Sequence, residues 1–155
     1  MTPDEKKAYL RKAYRLDKVI KSQAAELQVL RAALSSIGGG GGDGMPHGYR
    51  HDGTIGEITN IVRAVDLEAK LQEEIRVTVA KWKEIHETVE RLKNLDEKLI
   101  IRMRYIEGRN WDEIAAELHF SRSAVFKVHD SAIDNLEPPE DSIVFKVRKE
   151  KTKVD

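Results

Sequence analysis

Apolar residues recur every three or four positions along the first 37 residues, and this stripe limits the possible folds more than any other feature. It consists of Tyr9, Ala13, Leu16, Ile20, Gln23, Leu27, Leu30, Leu34 and Ile37. The spacing is that of a helix with one apolar face about four heptads long, interrupted by a single glutamine. Such a face must pack on another helix, either in the same chain as a hairpin or in a second copy as a homodimer.

The flanks of the stripe indicate where this helix begins and ends. Thr2 and Glu5 have the spacing of a capping box, and Pro3 suits the first helical position. Residues 38–53 contain eight of the ten glycines. The sequence therefore predicts a helix over residues 1–37, followed by a flexible linker over residues 38–53.

A second long helix is predicted over residues 54–94. It opens with another capping-box pair, Thr54 and Glu57. Its apolar face is wider than a two-residue seam, because four more aliphatic residues flank it. These residues are Ile58, Val62, Val65 and Val79. The width favours packing both on the first helix and on a further surface.

The composition excludes several classes of site. The chain has no cysteine, so disulfides, thiolate metal sites and a cysteine nucleophile are ruled out. His47 and His51 lie four positions apart, but they have no helix to fix that spacing and no third ligand nearby, so no metal is expected. No apolar run approaches the ~20 residues of a membrane span, and the acidic, polar start is unlike a signal peptide. We expect a cytoplasmic protein without a membrane partner or a cofactor.

Residues 95–136 predict three short helices. The first is amphipathic and ends at Gly108, a usual stop residue. Asn110 and Glu113 form the capping box of the second, and Ser121 is the expected cap of the third, which runs to Leu136. The apolar face of the first of these helices is formed by Leu95, Leu99, Ile100, Met103 and Ile106.

The short connection between the last two helices favours a helix-turn-helix. Only residues 119–121 separate them, and Ala115 is small where the two helices would cross. His119 stands where this turn needs a left-handed conformation, which histidine tolerates better than most residues do. A plain αα-hairpin shares these local signals. The predicted fold is all-α, with an N-terminal helical hairpin or coiled coil joined to a C-terminal helix-turn-helix domain over residues 95–136.

The segment LDEKLIIRMRYIEGRNWDEIAAELHFSRSAVFKVHDSAIDNL resembles region 4 of sigma-70-family factors, which reads the −35 promoter element. The likeness lies in the arginine-tyrosine end of its first helix, the EIA core, the serine that opens its last helix, and the Val…Ala…Leu spacing. The order of long helix, glycine-rich break, second long helix and this module is also similar to phage and prophage regulators of the ArpU type, which control late transcription.

The resemblance implies which residues contact double-stranded DNA. Arg122 is expected to bind a guanine edge, Phe126 a thymine methyl group, and Lys127 a phosphate or a base. Arg109 and the helix start at Asn110 are expected to lie against the phosphate backbone. The full set of DNA-contacting residues is Arg109, Asn110, Arg122, Ser123, Phe126, Lys127 and His129.

The charge distribution argues against strong DNA binding by this module alone. The whole chain is neutral, with 27 basic and 27 acidic residues, and residues 95–136 carry six basic and eight acidic ones. Because phosphate neutralisation supplies most non-specific affinity, such a module should bind weakly. Residues 1–37 are basic, with eight positive and four negative side chains, and residues 137–155 include a cluster of Lys and Arg. These segments, dimerisation, or docking on RNA polymerase would have to compensate.

The tail over residues 137–155 begins with Pro138-Pro139, which ends the preceding helix. Apolar residues then alternate with Lys146 and Arg148, so a short strand is possible, although it has no partner strand in this chain. The segment is therefore expected to be either a disordered basic tail or a segment that orders on a partner.

The sequence favours DNA binding over the other function classes. No nucleophile–base pair, phosphate-binding glycine loop or carboxylate cluster points to catalysis. The leading hypothesis is a sequence-specific transcriptional regulator that contacts RNA polymerase or its sigma factor, and that acts in the cytoplasm of a bacterial host, associated with the nucleoid. The alternatives are a phage small terminase subunit, which also combines a helix-turn-helix with oligomerising helices, and a helical protein-interaction adaptor.

Overall fold

The computed structural model describes residues 1–38 and 55–145. His47 and His51, the Thr54 cap and the cation-rich end of the tail lie outside these residues, so the predictions made for them stay predictions. Within the described residues the chain is helical and contains no strand, which confirms the all-α class. The elements are α1 (Pro3–Gly38), α2 (Ile55–Glu90), α3 (Leu95–Ile101), a π-helical turn (Arg102–Ile106), α4 (Trp111–Leu118) and α5 (Arg122–Asn135).

Local capping explains where these helices begin. The predicted box at the start of α1 is confirmed: Glu5 N donates to Thr2 Oγ1 at 3.2 Å, and Thr2 N donates to Glu5 Oε2 at 2.8 Å. Helix α2 ends at Glu90, before the predicted residue 94, because Asn94 has a different role. Its Oδ1 accepts hydrogen bonds from two backbone N–H groups of the first turn of α3, at 2.9 and 3.1 Å. This cap is absent from the sequence prediction.

The chain divides into two compact units, and the division runs through both long helices. The first unit comprises residues 1–18 and 79–155, and the second comprises residues 19–78. The units therefore differ from the domain ranges suggested by sequence, in which each long helix was one segment. The start of α1 and the end of α2 belong with the short helices because their apolar residues share one core.

The second unit has a thin core and an exposed apolar face. Leu71 and Thr78 of α2 are buried, whereas the stripe residues of α1 from Ile20 to Leu34 are only half-buried. Arg31 Nε donates to Glu68 Oε1 at 2.9 Å. The four aliphatic residues that widen the face of α2 are exposed, and so is Ile61 of the main face. We call the exposed aliphatic residues near the start of α2 the α2 stripe, which consists of Ile58, Ile61, Val62 and Val65.

The first unit contains two buried clusters that share the segment from α3 to the π-helical turn. The larger cluster joins α1, α2, that segment and α5 through Tyr9, Leu10, Ala13, Ile85, Val89, Leu92, Ile101, Tyr105, Ala132, Ile133 and Leu136. The smaller cluster joins the same segment to α4 and α5 through Ile100, Met103, Ile114 and Val125. The two clusters together bury 15 side chains. Because apolar burial contributes about 25 cal/mol per Å², this packing stabilises helices that are too short to be stable alone.

The apolar face of α3 differs from the sequence prediction, whereas the end of the segment agrees with it. Leu95 and Leu99 were expected on the apolar face, but Leu95 is 76% exposed and Leu99 is exposed as well. Ile101 and Tyr105 belong to the larger cluster instead, and Tyr105 lies within the π-helical turn. Gly108 ends this segment as predicted, with φ of 72°, and a Cβ there would lie 2.6 Å from the Tyr14 ring. Only glycine suits both conditions.

Candidate nucleic-acid interface

The connection between α4 and α5 has the local geometry that the sequence predicts. Asn110 Oδ1 accepts from Glu113 N at 2.8 Å, and Asn110 Nδ2 donates to Glu113 Oε1 at 3.0 Å, so this pair caps α4. His119 adopts the left-handed conformation, with φ of 55° and ψ of 35°. Ser121 Oγ then accepts from Ala124 N at 3.1 Å and starts α5. Only three residues thus connect α4 to α5, and within this turn His119 N and Phe120 N donate to the carbonyls of Ala116 and Ala115.

Buried apolar contacts hold α4 against α5. Ile114 of α4 and Val125 of α5 are fully buried in the smaller cluster. Ala115, Phe120 and Val128 pack around them and are partly buried. Because these residues use one side of α5, its other side is free to face solvent.

The exposed side of α5 collects four of the predicted DNA-contacting residues. Arg122, Ser123, Phe126 and Lys127 are all exposed, and we call them the α5 face. The Phe126 ring lies 5.0 Å from the Trp111 ring and 5.7 Å from the Arg122 guanidinium, measured to ring centroids. Phe126 is 36% exposed, so it packs on α4 with one edge and shows the other to solvent.

Arg122 has a neighbouring carboxylate that the sequence does not predict, Asp112. Its Nη1 lies 3.5 Å from Asp112 Oδ1, and the two side chains are 62% and 80% exposed. An ion pair this open to water contributes at most about 1 kcal/mol, so it does not lock the guanidinium. Arg122 therefore remains able to exchange this partner for another acceptor.

Arg109 and Asn110 are more firmly engaged within the chain. Arg109 forms ion pairs with Glu107 and Glu117, which balance its charge. Its backbone carbonyl accepts a hydrogen bond from Arg104 Nη1 at 3.0 Å. The Asn110 side chain is occupied by the α4 cap. The polar side-chain groups of these two residues are thus already partnered within the chain.

His129 is buried rather than on the exposed side of α5, and its predicted contact with DNA stays a prediction. Its side chain is buried, with 4% exposure, and its Nε2 is 2.8 Å from the Tyr105 hydroxyl oxygen. Burial lowers the pKa of His129, an effect that a hydrogen bond to Asp130 opposes. The sequence does not indicate that His129 is buried, because residue 129 lies at the edge of the apolar face of α5. Its ring is hydrogen-bonded to Tyr105, a residue that is distant in sequence.

A second group of cations was absent from the sequence prediction. A cavity of about 560 Å³ lies between the start of α1, the π-helical turn and α5, and we call it the basic cleft. Its lining is Lys7, Arg11, Tyr14, Arg15, Arg104, Tyr105, Gly108, Trp111, Phe126, His129 and Asp130. The signal in the sequence was the spacing of four between Lys7, Arg11 and Arg15, which places three cations on one helix face.

The described residues contain neither a metal-binding cluster nor a membrane-spanning helix. In residues 1–38 and 55–145, no three His, Asp or Glu side chains are grouped so that they could hold a metal ion. Over the same residues, no helix combines the length and the apolar character needed to cross a membrane.

Comparison with known proteins identifies a family but no characterised relative. No curated protein and no solved structure matches the chain. The model of a family described as a protein of unknown function, DUF1492, matches residues 55–137, which is more than half of the chain and extends from α2 through α5. The chain therefore belongs to the DUF1492 family of proteins of unknown function.

Proposed function

We propose that this protein is a sequence-specific DNA-binding transcriptional regulator of phage or prophage type. The observation that carries the proposal is the α5 face, which is presented by a helix that follows a tight three-residue turn after α4. We interpret α4 and α5 as a helix-turn-helix similar to sigma-70 region 4, with α5 as the recognition helix. An α-helix fits the major groove of B-DNA, where each base pair shows a distinct pattern of donors and acceptors.

The side chains of the α5 face suit base recognition. Arg122 is the first residue of α5 and can present two N–H donors to the O6 and N7 atoms of a guanine. Phe126 offers an apolar edge to a thymine methyl group. Ser123 and Lys127 can donate to a base or to a phosphate. This interpretation assigns sequence discrimination to Arg122 and Phe126 and general affinity to Lys127.

The N-terminal helices supply oligomerisation in this proposal. A module with more acidic than basic residues gains affinity when two copies bind together, because two half-sites on one duplex are read jointly. The α2 stripe is an exposed aliphatic face in the second unit, where few side chains are buried. It therefore suits a homodimer contact in a helical hairpin or coiled coil. A separate surface would contact RNA polymerase or its sigma factor, and the protein would act by recruitment.

The experiment that tests the proposal is affinity selection of the full-length protein from a pool of randomised duplex DNA, at low and moderate salt. Arg122→Ala is selected in parallel. The matched control is Arg76→Ala, an exposed arginine of α2 that is also paired with one carboxylate, at 2.6 Å from Glu73. We expect one enriched motif for the wild type and for Arg76→Ala, and loss of a guanine preference for Arg122→Ala.

The other outcomes separate the alternatives. If no motif is enriched even at low salt, autonomous DNA recognition is wrong and an interaction adaptor becomes the better hypothesis. If a motif is enriched and the protein assembles into a large closed ring, the packaging role of a small terminase subunit is favoured. If Arg122→Ala keeps the full motif, α5 is not the recognition helix.

A further inference from the structure

The basic cleft is a concave surface whose charge is strongly positive. Lys7, Arg11 and Arg15 enter it from successive turns of α1, and Arg104 enters from the π-helical turn. Asp130 is the one carboxylate in its lining. Four cations against one carboxylate make the cleft a place where an anion is favoured, in a chain that is neutral overall.

The cations of the cleft are available for a ligand. Among the described residues, the ion pairs of this unit engage Lys83, Lys98, Arg102, Arg109, Arg122 and His129 rather than the four cations of the cleft. Arg11 and Arg15 are exposed, so their guanidinium groups retain freedom to adjust to a ligand. An unpaired group of cations gains more from binding an anion than a group already neutralised within the chain.

One cation of the cleft is held in place before any ligand binds. The Arg104 guanidinium lies 4.6 Å from the centroid of the Trp111 ring, and its Nη1 donates to the Arg109 carbonyl. Stacking on an indole and a backbone hydrogen bond fix the plane of the guanidinium, which reduces the entropy lost on binding. Trp111 in turn contacts Phe126 of the α5 face.

Two cations of the cleft also act on a buried neighbour, His129. Burial is the largest cause of the lowered pKa of His129, and the hydrogen bond and negative charge of Asp130 oppose it. The positive charges of Lys7 and Arg104 act in the same direction as burial.

The basic cleft is continuous with the α5 face, because Phe126 belongs to both. An extended polyanion lying along the α5 face would therefore place its charges next to Lys7, Arg11, Arg15 and Arg104. Lys and Arg side chains bind phosphate oxygens without reading a base, so they add affinity that does not depend on sequence.

We propose that the basic cleft binds backbone phosphates of the duplex that α5 reads, so that α1 is part of the DNA interface. This inference rests on the proposed function and adds a site to it. It also explains how a module with excess acidic residues reaches useful affinity, since the compensating cations come from the start of the chain.

The test compares full-length variants on two duplexes, the motif selected by the wild type and a scrambled version of it. Affinity is measured by fluorescence anisotropy between low and moderate salt. The cleft variant is Arg11→Ala/Arg15→Ala, which changes two exposed side chains. The control is Arg63→Ala/Lys70→Ala, which removes the same charge from exposed positions of α2 in the other unit. Circular dichroism confirms that both variants fold.

We expect the cleft variant to lose affinity for both duplexes by the same factor, about tenfold or more, since two charged contacts to phosphate are lost. The slope of log K against log salt should fall by about two, one unit for each lost phosphate contact. The control should keep the affinity and the slope of the wild type.

Three results would overturn the inference. If the cleft variant matches the control, phosphates do not enter the cleft, while the effect of Arg122→Ala on the motif still supports the proposed function. If only the selected duplex loses affinity, the cleft reads bases instead of phosphates. If the wild type enriches no motif and binds neither duplex, the proposed function itself is wrong, and the cleft has no DNA to bind.

Discussion

The Tyr105 hydroxyl and His129 Nε2 form a buried hydrogen bond of 2.8 Å that joins the π-helical turn to α5. Their rings stack with centroids 5.8 Å apart, and the Trp111 ring meets His129 edge-on at 4.9 Å. His129 is thus enclosed by aromatic groups beneath the basic cleft, with only Asp130 offering a negative charge nearby. These contacts of the His129 ring hold α5 against the π-helical turn and the start of α4.

The first prediction concerns the pH dependence of stability. The folded state lowers the pKa of His129, mainly through burial, so the unfolded chain takes up a proton at higher pH than the folded chain does. Below the unfolded pKa of about 6.5 the free energy of unfolding therefore falls, and the fall stops below the folded pKa. Urea titrations between about pH 7.5 and 5 should show this loss, and His129→Gln should remove part of it.

The control for this prediction is His119→Asn, which changes an exposed histidine and keeps a residue that tolerates the left-handed conformation. It should retain the pH dependence of the wild type. If His129→Gln and the wild type give parallel curves over the same pH range, His129 does not titrate between the two states as described.

The second prediction concerns Glu97, a buried carboxylate that connects α3 to α5. It accepts hydrogen bonds from Ser131 Oγ at 2.6 Å and from Asn135 Nδ2 at 3.1 and 3.2 Å. Glu97→Ala leaves these donors without their acceptor and should lower the free energy of unfolding by about 1–3 kcal/mol. Glu97→Gln retains one acceptor oxygen and should lose less. If urea titrations gave both variants the same free energy of unfolding as the wild type, this role of Glu97 would be contradicted.

The third prediction concerns the turn between α4 and α5. His119 has φ of 55°, a conformation that costs a non-glycine residue about 1–2 kcal/mol. His119→Gly relieves this strain and should raise the free energy of unfolding by up to about 1 kcal/mol. The gain is smaller than the strain itself because glycine loses more conformational freedom on folding. His119→Ala is the control, since it removes the same side chain and keeps the strain. Thermal unfolding should show a Tm increase of about 3 °C for glycine alone, and a Tm decrease for glycine would contradict the strain argument.

Local features of this fold could be predicted from sequence because they depend on residues a few positions apart. The Thr2–Glu5 box, the Asn110 and Ser121 caps, and the left-handed His119 each involve one turn of chain. A side-chain oxygen three residues from an unpaired backbone N–H suffices to specify such a start. These signals predict the number and the sequence order of the short helices between residues 95 and 136.

Features that depend on distant segments could not be predicted in the same way. His129 is hydrogen-bonded to Tyr105, 24 residues away, and no local rule indicates either this contact or the π-helical turn that contains Tyr105. The basic cleft brings α1 residues beside Arg104. Charge spacing on α1 was visible in the sequence, but its position next to α5 requires the packing of the larger cluster.

The fourth prediction tests the neighbour of Arg122 in DNA binding. Asp112 lies 3.5 Å from Arg122 and adds a negative charge beside the α5 face. In the proposed function, Asp112→Asn removes an acceptor that competes with DNA for Arg122 and a negative charge that repels DNA. The affinity for DNA should therefore rise by about two- to fivefold. Asp66→Asn on α2 makes the same charge change in the other unit. Equal affinities of the two variants in anisotropy titrations would show that the pair does not restrain Arg122.

The last prediction concerns the α2 stripe. If it forms the proposed homodimer contact, Val62→Lys/Val65→Lys should convert a dimer into a monomer, because four added lysines would lie in one apolar interface. Both valines are exposed within the chain, so the fold of each copy should remain. Light scattering coupled to size exclusion gives the mass, and circular dichroism gives the helix content.

Leu67→Lys/Val77→Lys is the matched control, since it adds the same charge to exposed apolar positions of α2 that lie off the stripe. This variant should stay dimeric. A wild type that is monomeric at micromolar concentration would remove the homodimer from the proposal, and the affinity of a single module would then depend on the basic cleft. A control variant that dissociates as readily as Val62→Lys/Val65→Lys would place the contact on a wider surface of α2 than the stripe.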